Sequence, residues 1–389
     1  MRPIALLLTL TFSSLFGLDQ FESSKACQKC HPVIYKEHAS SMHSNASIFN
    51  DPIHKAVWDR HPLKKKKKYA CAKCHTPNDK ELINRLKSLQ KATPQQNRAQ
   101  LKEGVSCVSC HNIQSIEKHE KSNKNIITKD KKTLFSARLS EKDIEDKKFE
   151  MKQSFFGLVT KKSGSPYHHI DFTNRLYYNG GVCLGCHSHK ENAQHFKVCE
   201  MDVKEDSMSN EENCISCHMP KVAGSFTTLT ESKTHRYHGF TGSIHKPKML
   251  AKYVKIDFNR EKDGFTITLF NKANHALLLH PLRVGELRVV IIHNGKKVSL
   301  EPKKFMRVIG KENHPSAPWL ANEVVKDTQI QAKEKRVVHY NKELQSGDRV
   351  IVTLGHYIIT QEAAKKLGLE ENRELTKFKV LKEESFSVK

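Results

Sequence analysis

Residues 27–31 read CQKCH, and the same Cys-x-x-Cys-His pattern returns as CAKCH (71–75), CVSCH (107–111), CLGCH (183–187) and CISCH (214–218). Two thiols three positions apart share one face of a helical turn, and the histidine that follows can ligate iron. That arrangement fastens a porphyrin through two thioethers and an axial imidazole. Five motifs therefore predict five covalent haem c groups, on Cys27 and Cys30, Cys71 and Cys74, Cys107 and Cys110, Cys183 and Cys186, and Cys214 and Cys217. The proximal iron ligands are then His31, His75, His111, His187 and His218. A zinc site would need Cys pairs or Cys-His sets converging on one ion, and a thioredoxin-like pair needs no following histidine.

Ten of the 11 cysteines belong to these motifs, so no disulfide framework is left to build. The N-terminus nonetheless begins like that of an exported protein. Arg2, a mostly apolar run from Ile4 to Phe12, and Ser13 and Ser14 before Gly17 read as a signal peptide over 1–17, which predicts a periplasmic location. The run is short for a bilayer span, no second one follows, and no cysteine stands just after it to take a lipid. The mature chain is thus expected to carry no transmembrane anchor. The formal charge is +24, from 66 basic against 42 acidic residues. Five haems would offset part of it with about ten propionate charges. Outside the cytoplasm this excess argues against nucleic acid and for acidic or membrane-associated redox proteins, or anionic substrates. Lys64 to Lys68 form the densest patch, readable as a solvated loop or as a docking surface.

Every cysteine precedes residue 250, and the chain divides there. From 19 to 250 long apolar runs are scarce, so stacked porphyrins must supply much of the core of an α plus irregular, haem-packed domain. Leu82, Ile83, Leu86 and Leu89 share one face of a helix expected over Lys80 to Ala92, and another helix follows Pro32. Between His111 and Cys183 the Lys- and Glu-rich composition predicts a solvated helical or loop insertion. Beyond 250 the period becomes two. VKIDF, FTITLF, ELRVVIIH, VSLEPKKF, TQIQAKEKRVVHY and RVIVTLGHYII read as strands of an all-β, antiparallel, sandwich-like domain over 251–389. Asn294-Gly295 marks a hairpin turn, and a short helix is expected at Gln361 to Leu367.

The stretch CQKCHPVIYKEHASSMH, followed by CAKCHTP, EGVSCVSCHNI, CLGCHSHKENA and CISCHMPKVAGS, resembles the cytochrome c554/c′ type of multihaem cytochrome over about residues 25 to 250. The resemblance implies haems packed in close pairs, mostly with histidine on both faces of iron, and a role in electron transfer, some relatives being enzymes at an open haem. Related multihaem proteins often open a terminal β-domain with Asn, a spacer, and His-x-x-Pro-Thr-Gly. Here FNKANHALLLHPLR keeps Asn271 and His275 but has Leu278, Leu279 and His280 in place of the last three. His275 is therefore a candidate to reach back to an iron, with His280 as its competitor.

Setting aside the five motif histidines leaves 18 of 23 for the opposite faces. The distal candidates are His43, His54, His61, His168, His169, His235, His238, His245 and His275. Each can equally be a hydrogen-bonded surface histidine. Met42, Met151, Met208 and Met219 are alternative ligands, although Met219 follows its own motif too closely to turn back. Cys199, outside the motifs, reads as a structural thiol or as a redox-active sulfur. Two function classes follow: a pentahaem electron carrier, favoured because no motif departs from the standard form, or a reductase or oxidase of a small nitrogen or sulfur compound at one five-coordinate haem. Specific catalytic residues are not readable. The histidines of the β-region, His293, His314, His339 and His356, lack metal-ligand spacing.

Overall fold

The computed structural model describes residues 23–95, 102–138, 150–154, 159–163, 165, 167–201, 203, 212–229 and 231–389. Residues 1–17, read as a signal peptide, and Met208 lie outside them, as does the side chain of Met151.

Each motif is one turn of helix: Ser24–Cys27 leads into the first, and Ala72–His75, Cys107–His111, Leu184–His187 and Cys214–His218 form the others. The His31 amide donates to the Cys27 carbonyl at 2.9 Å and the His75 amide to Cys71 at 3.0 Å, closing the turn that brings thiol and imidazole to one side. Caps fix where two of these turns begin. Ser106 Oγ accepts the Ser109 amide at 3.3 Å. Asn213 Oδ1 accepts the amides of Ile215 and Ser216 at 2.9 and 3.0 Å, while Ser216 Oγ accepts the Asn213 amide at 2.8 Å. Helices this short are not stable alone, so tertiary packing must hold them.

The expected helix after Pro32 is Pro32–Ala39, and a second, Pro52–Arg60, starts on a proline behind the Asp51 cap. The helix expected over Lys80 to Ala92 ends at Lys87. Leu82, Ile83 and Leu86 close over Trp58 and Tyr69, but Leu89 is left-handed and 83% exposed. The chain turns there because Ala92 pairs back, its amide to the Lys67 carbonyl at 2.6 Å and its carbonyl to the Tyr69 amide at 3.2 Å.

The segment after His111 is strand rather than helix. β1 (Ile113–Glu117) pairs antiparallel with β2 (Lys124–Ile127), β3 (Thr133–Phe135) pairs parallel with β6 (His169–Asp171), and β4 (Glu150–Ser154) pairs with β5 (Val159–Ser163). Ile113 and Phe135 are buried against Tyr177 and Val182, so a few β-branched and aromatic residues override the Lys-rich composition. Two small hairpins follow, β7 (His189–Glu191) with β8 (Lys197–Glu200), and β9 (Lys221–Ala223) with β10 (Thr234–Arg236).

Beyond residue 250, β11 (Val254–Glu261), β12 (Gly264–Asn271) and β19 (Lys335–Tyr340) make one antiparallel sheet. A second centres on β13 (Val284–His293), flanked by β14 (Lys296–Ser299), β15 (Lys303–Phe305) and β20 (Arg349–Tyr357), with β21 (Lys379–Ser387) outside β20. A third joins β16 (Arg307–Lys311), β17 (His314–Pro315) and β18 (Glu323–Asp327). Phe265, Ile267 and Leu269 of the first sheet share one buried core with Leu287, Val289, Val350 and Val352 of the second. Asn294 and Gly295 both take positive φ, 45° and 78°, as a two-residue hairpin turn requires. The strand read through VSLEPKKF is broken ahead of Lys303, where Pro302 lacks a donor, and the one read from Thr328 begins only at Lys335. The helix at Gln361–Leu367 stands as expected, capped by Thr360 and stopped by left-handed Gly368.

The two parts of the chain touch closely. Asn192 Nδ2 donates to the carbonyls of Pro318 and Ala321 at 2.9 and 2.6 Å, His356 Nε2 donates to Ser243 at 2.7 Å, and helix Gln361–Leu367 packs on helix Pro52–Arg60.

Candidate haem-binding site

Four of the motif histidines have their Nδ1 within hydrogen-bonding distance of a backbone carbonyl: His31 to Phe226 at 2.7 Å, His75 to Ala46 at 3.1 Å, His111 to Phe135 at 2.7 Å and His218 to Thr241 at 2.6 Å. A carbonyl only accepts, so the proton sits on Nδ1 and Nε2 carries the bare lone pair that binds a metal. These carbonyls come from segments far along the chain, which also fix each ring's orientation.

Across from them stand second imidazoles. A metal–imidazole bond is about 2.0 Å, so two ligands on opposite faces of one iron place ring centroids roughly 6.2 Å apart. His31 and His168 are 6.3 Å apart at 25°, His111 and His238 are 6.3 Å apart at 19°, and His218 and His275 are 6.1 Å apart at 21°. His43 and His187 are 5.8 Å apart with their planes crossed at 81°. The distal rings have the right nitrogens free: His238 and His275 bond the carbonyls of Arg236 and Ala276 through Nδ1, at 2.7 and 2.8 Å. The buried Nδ1 atoms of His43 and His168 have no protein partner. Burial is the main cause that pushes the pKa of His43 and His238 down to about 3 and that of His75 and His168 to about 4, and the imidazoles of His187, His111, His54 and His31 respectively add to it by disfavouring a second positive charge. All are neutral near pH 7, the form that coordinates iron. These residues fit haem.

The other distal candidates are engaged elsewhere. His54 bonds Ala46 through Nδ1 at 3.0 Å and Tyr69 through Nε2 at 3.2 Å, and its ring sits 4.0 Å from His75, too close for an iron between them. His61 accepts the Leu63 amide on Nδ1 at 3.1 Å and stacks on Trp58. His169 pairs with Thr133 at 2.7 Å and His245 with Tyr237 at 2.6 Å. Both nitrogens of His235 are used, by the Gly224 carbonyl at 2.9 Å and Glu37 at 3.0 Å. Met219 caps the last motif helix, its amide donating to the Ile215 carbonyl. Cys199 lies exposed on β8.

Several positioning residues carry no sequence signature. Glu37 accepts from His235 Nε2 and from the His238 amide at 2.9 Å, which locks the segment holding His238. Asn271, fully buried, donates to the carbonyls of His275 at 2.9 Å and Gln331 at 2.8 Å, pinning the loop that presents His275. Gly104 lies where a Cβ would come within 2.6 Å of the His43 carbonyl and 2.7 Å of the Ala46 amide, so only glycine lets the two stretches abut.

The thiols, which stand for the thioether sulfurs of the loaded protein, lie next to one another between motifs. Cys27 adjoins Cys107, Cys74 adjoins Cys186, and Cys183 adjoins Cys214, each pair within hydrogen-bonding reach. Cys110 is close enough to Cys183 and Cys186 for their charges to interact. The fourth motif thus neighbours the second, third and fifth, and the third neighbours the first.

Residues 26–112 match the family model for cytochrome c554 and c-prime. The whole fold is similar to a solved structure of a penta-heme cytochrome c552 from Thermochromatium tepidum, with a TM-score of 0.69 at 19% identity over 95% of this chain and 99% of that one. No curated protein matches the chain. Among the described residues no helix is long and apolar enough to cross a membrane. The family match and the shared fold support a multihaem c-type cytochrome.

Proposed function

We propose that the chain is a periplasmic pentahaem c-type cytochrome that passes electrons between respiratory redox partners. On this reading the ten motif cysteines bind five haems, His31, His75, His111, His187 and His218 are proximal ligands, and His168, His238, His43 and His275 are distal ligands to the first, third, fourth and fifth haems. The two larger C-terminal sheets form a sandwich-like domain that lends His275 to the haem region. What supports the reading is that thiols of different motifs lie within hydrogen-bonding reach of one another; porphyrins attached there would be close enough for an electron entering at one haem to move to a neighbour. The exposed Lys64 to Lys68 suit acidic or anionic-membrane-associated partners, whose encounter would weaken as salt rises. The test is an intact mass of protein matured in a host with c-type haem attachment, followed by a reductive titration. Five haem masses retained after denaturation, and full reduction of all five by one donor, are expected. Haem extractable by acid solvent would refute covalent attachment.

A further inference from the structure

The lysine run 64–68 and the second motif meet at one place on the surface. Ile48, Phe49, Trp58 and Pro94 floor an open groove whose rim carries Lys55, Lys64 and Lys67. The floor is recessed, Trp58 being 4% exposed and Ile48 and Phe49 half-buried. Ile48 and Trp58 belong to one apolar cluster with Tyr69 and Ala72, and Cys71, a thiol of the second motif, packs on it. From the floor the rings run inward without a break. Trp58 meets Tyr69 edge-on at 4.9 Å, the Tyr69 hydroxyl lies 3.2 Å from Nε2 of His54, and the His54 ring lies 4.0 Å from that of His75. The groove is therefore a surface directly backed by the second motif.

The lysines on its rim are held, not loose. The Lys64, Lys67 and Lys68 amides donate to the carbonyls of His61, Lys64 and Leu63, each at 3.0 Å. The Lys67 carbonyl accepts the Ala92 amide at 2.6 Å, which ties the run to the stretch that supplies Pro94. Asp59 pairs with Lys55 at 2.5 Å and with Lys64 at 2.6 Å. Among the described residues no carboxylate pairs with Lys65, Lys66, Lys67 or Lys68, all exposed. Four positive charges fixed beside an apolar hollow call for a partner that brings carboxylates around a projecting apolar side chain. A lipid surface is met by apolar side chains that project, whereas these are sunk.

We propose that this groove docks an acidic one-electron redox protein and makes the second motif the site where electrons enter from it. The proposal deepens the haem reading above and rests on it. In the step, the partner's reduced centre loses one electron and the ferric iron on Cys71 and Cys74 gains it; no bond forms or breaks and no proton moves. Lys65 to Lys68 orient the encounter, and Phe49 and Trp58 give the partner its apolar contact.

The whole haem-loaded protein is mixed with reduced flavodoxin, an acidic one-electron donor, and haem reduction is followed by stopped-flow absorption over a salt series. The same pair is cross-linked with a zero-length carbodiimide, which joins lysines to carboxylates in contact, and the links are mapped by mass spectrometry. The second-order rate constant should fall as salt rises, and Lys65→Glu, Lys66→Glu and Lys68→Glu together should lower it roughly tenfold or more at low salt. Lys303→Glu, Lys304→Glu and Lys326→Glu, exposed on β15 and β18, change the net charge equally and should cost about twofold at most. Phe49→Ala should slow the reaction several-fold with its salt dependence kept, since it removes floor and no charge. Cross-links should centre on Lys64 to Lys68. Equal losses in the two triple variants would reduce the run to its share of the general charge and overturn the proposal, as would cross-links that avoid it. Phosphatidylglycerol vesicles bound by the parent and released by the Lys65, Lys66 and Lys68 variant, with the flavodoxin rate unmoved, would make the patch a membrane site and overturn it equally. A mass short of five haems refutes instead the attachment reading, and the cross-links, which need no haem, still decide the docking surface.

Discussion

Removing the His275 imidazole is expected to open one haem and to leave the fold standing. The ring lies 6.1 Å from that of His218 at 21°, against roughly 6.2 Å for two imidazoles on one iron, so the pair needs almost no movement to share the metal. His275 comes from the loop after β12, on the far side of the chain's division, and its Nδ1–H is given to the Ala276 carbonyl at 2.8 Å. In His275→Ala the iron on Cys214 and Cys217 loses its sixth ligand, so the oxidised protein should gain one haem-equivalent of high-spin signal. The lost hydrogen bond costs about 0.5 to 1.5 kcal/mol, a small part of a domain's stability. Asn271 still pins the loop through the carbonyl of residue 275 and that of Gln331, neither of which depends on the deleted ring.

EPR spin quantitation, with visible spectra before and after added imidazole, is the assay. Imidazole should refill the position and abolish the new signal, which a merely distorted haem would not allow. An unchanged low-spin spectrum in His275→Ala would refute the ligand reading. So would a parent protein in which the haem on Cys214 and Cys217 is already high spin.

Gly104→Ala should disturb the fourth haem, because its methyl must displace the His43 carbonyl at 2.6 Å or the Ala46 amide at 2.7 Å, and EPR should show the haem paired with His43 and His187 losing its low-spin signal. That same pair, crossed at 81°, leaves two iron orbitals nearly equal in energy and should give one strongly axial low-spin signal, while the pairs at 19° to 25° give rhombic ones; spectra with rhombic signals alone would contradict the geometry. His356 is held below its ordinary pKa by burial, against the opposing pull of the Ser243 carbonyl and with Arg283 and Lys379 near, so the folded state binds its proton less readily than the unfolded chain. Its contribution is present above pH 6.5 and lost as pH falls through the lower folded value, so thermal melts should drop on that acid side and His356→Gln should flatten the change. Leu269→Ala in the fully buried β core should cost about 2 to 5 kcal/mol in denaturant melts followed by far-UV dichroism, with the haem spectra of the folded protein unaltered.

What the sequence made legible was whatever is written in a short span. A Cys-x-x-Cys-His turn, an Asn-Gly hairpin and the strand ELRVVIIH each carry their cause within ten residues, and each appears in the fold where it was read, the strand starting two residues earlier at Val284. The strands after His111 were not legible, because the segment around them is rich in Lys and Glu while the inward residues that decide the structure, Ile113, Leu134 and Phe135, are few and far apart in sequence. Helix Lys80–Lys87 was read too long for a different reason: its end is set by Ala92 pairing with Lys67, a contact local pattern does not contain. Distal histidines are harder still. His235 and His238 sit three residues apart in THRYHG, yet Glu37, some 200 positions earlier, takes the Nε2 of one and the amide of the other.

The same long-range logic bears on how electrons would cross the molecule. Motif order along the chain is not neighbour order in space: the first motif adjoins the third, and the fourth adjoins the second, third and fifth. Under the haem reading, the fourth haem is a junction, with the second at the end of one branch and the fifth at the end of another. The second is also the motif lacking an opposed imidazole at ligand distance. Under the same reading the β-region gives His275 to the fifth haem, from the loop between β12 and β13. Asn271, at the base of that loop, ties its first turn to Ile330 and Gln331, so one buried anchor registers His275 against the haem-bearing half.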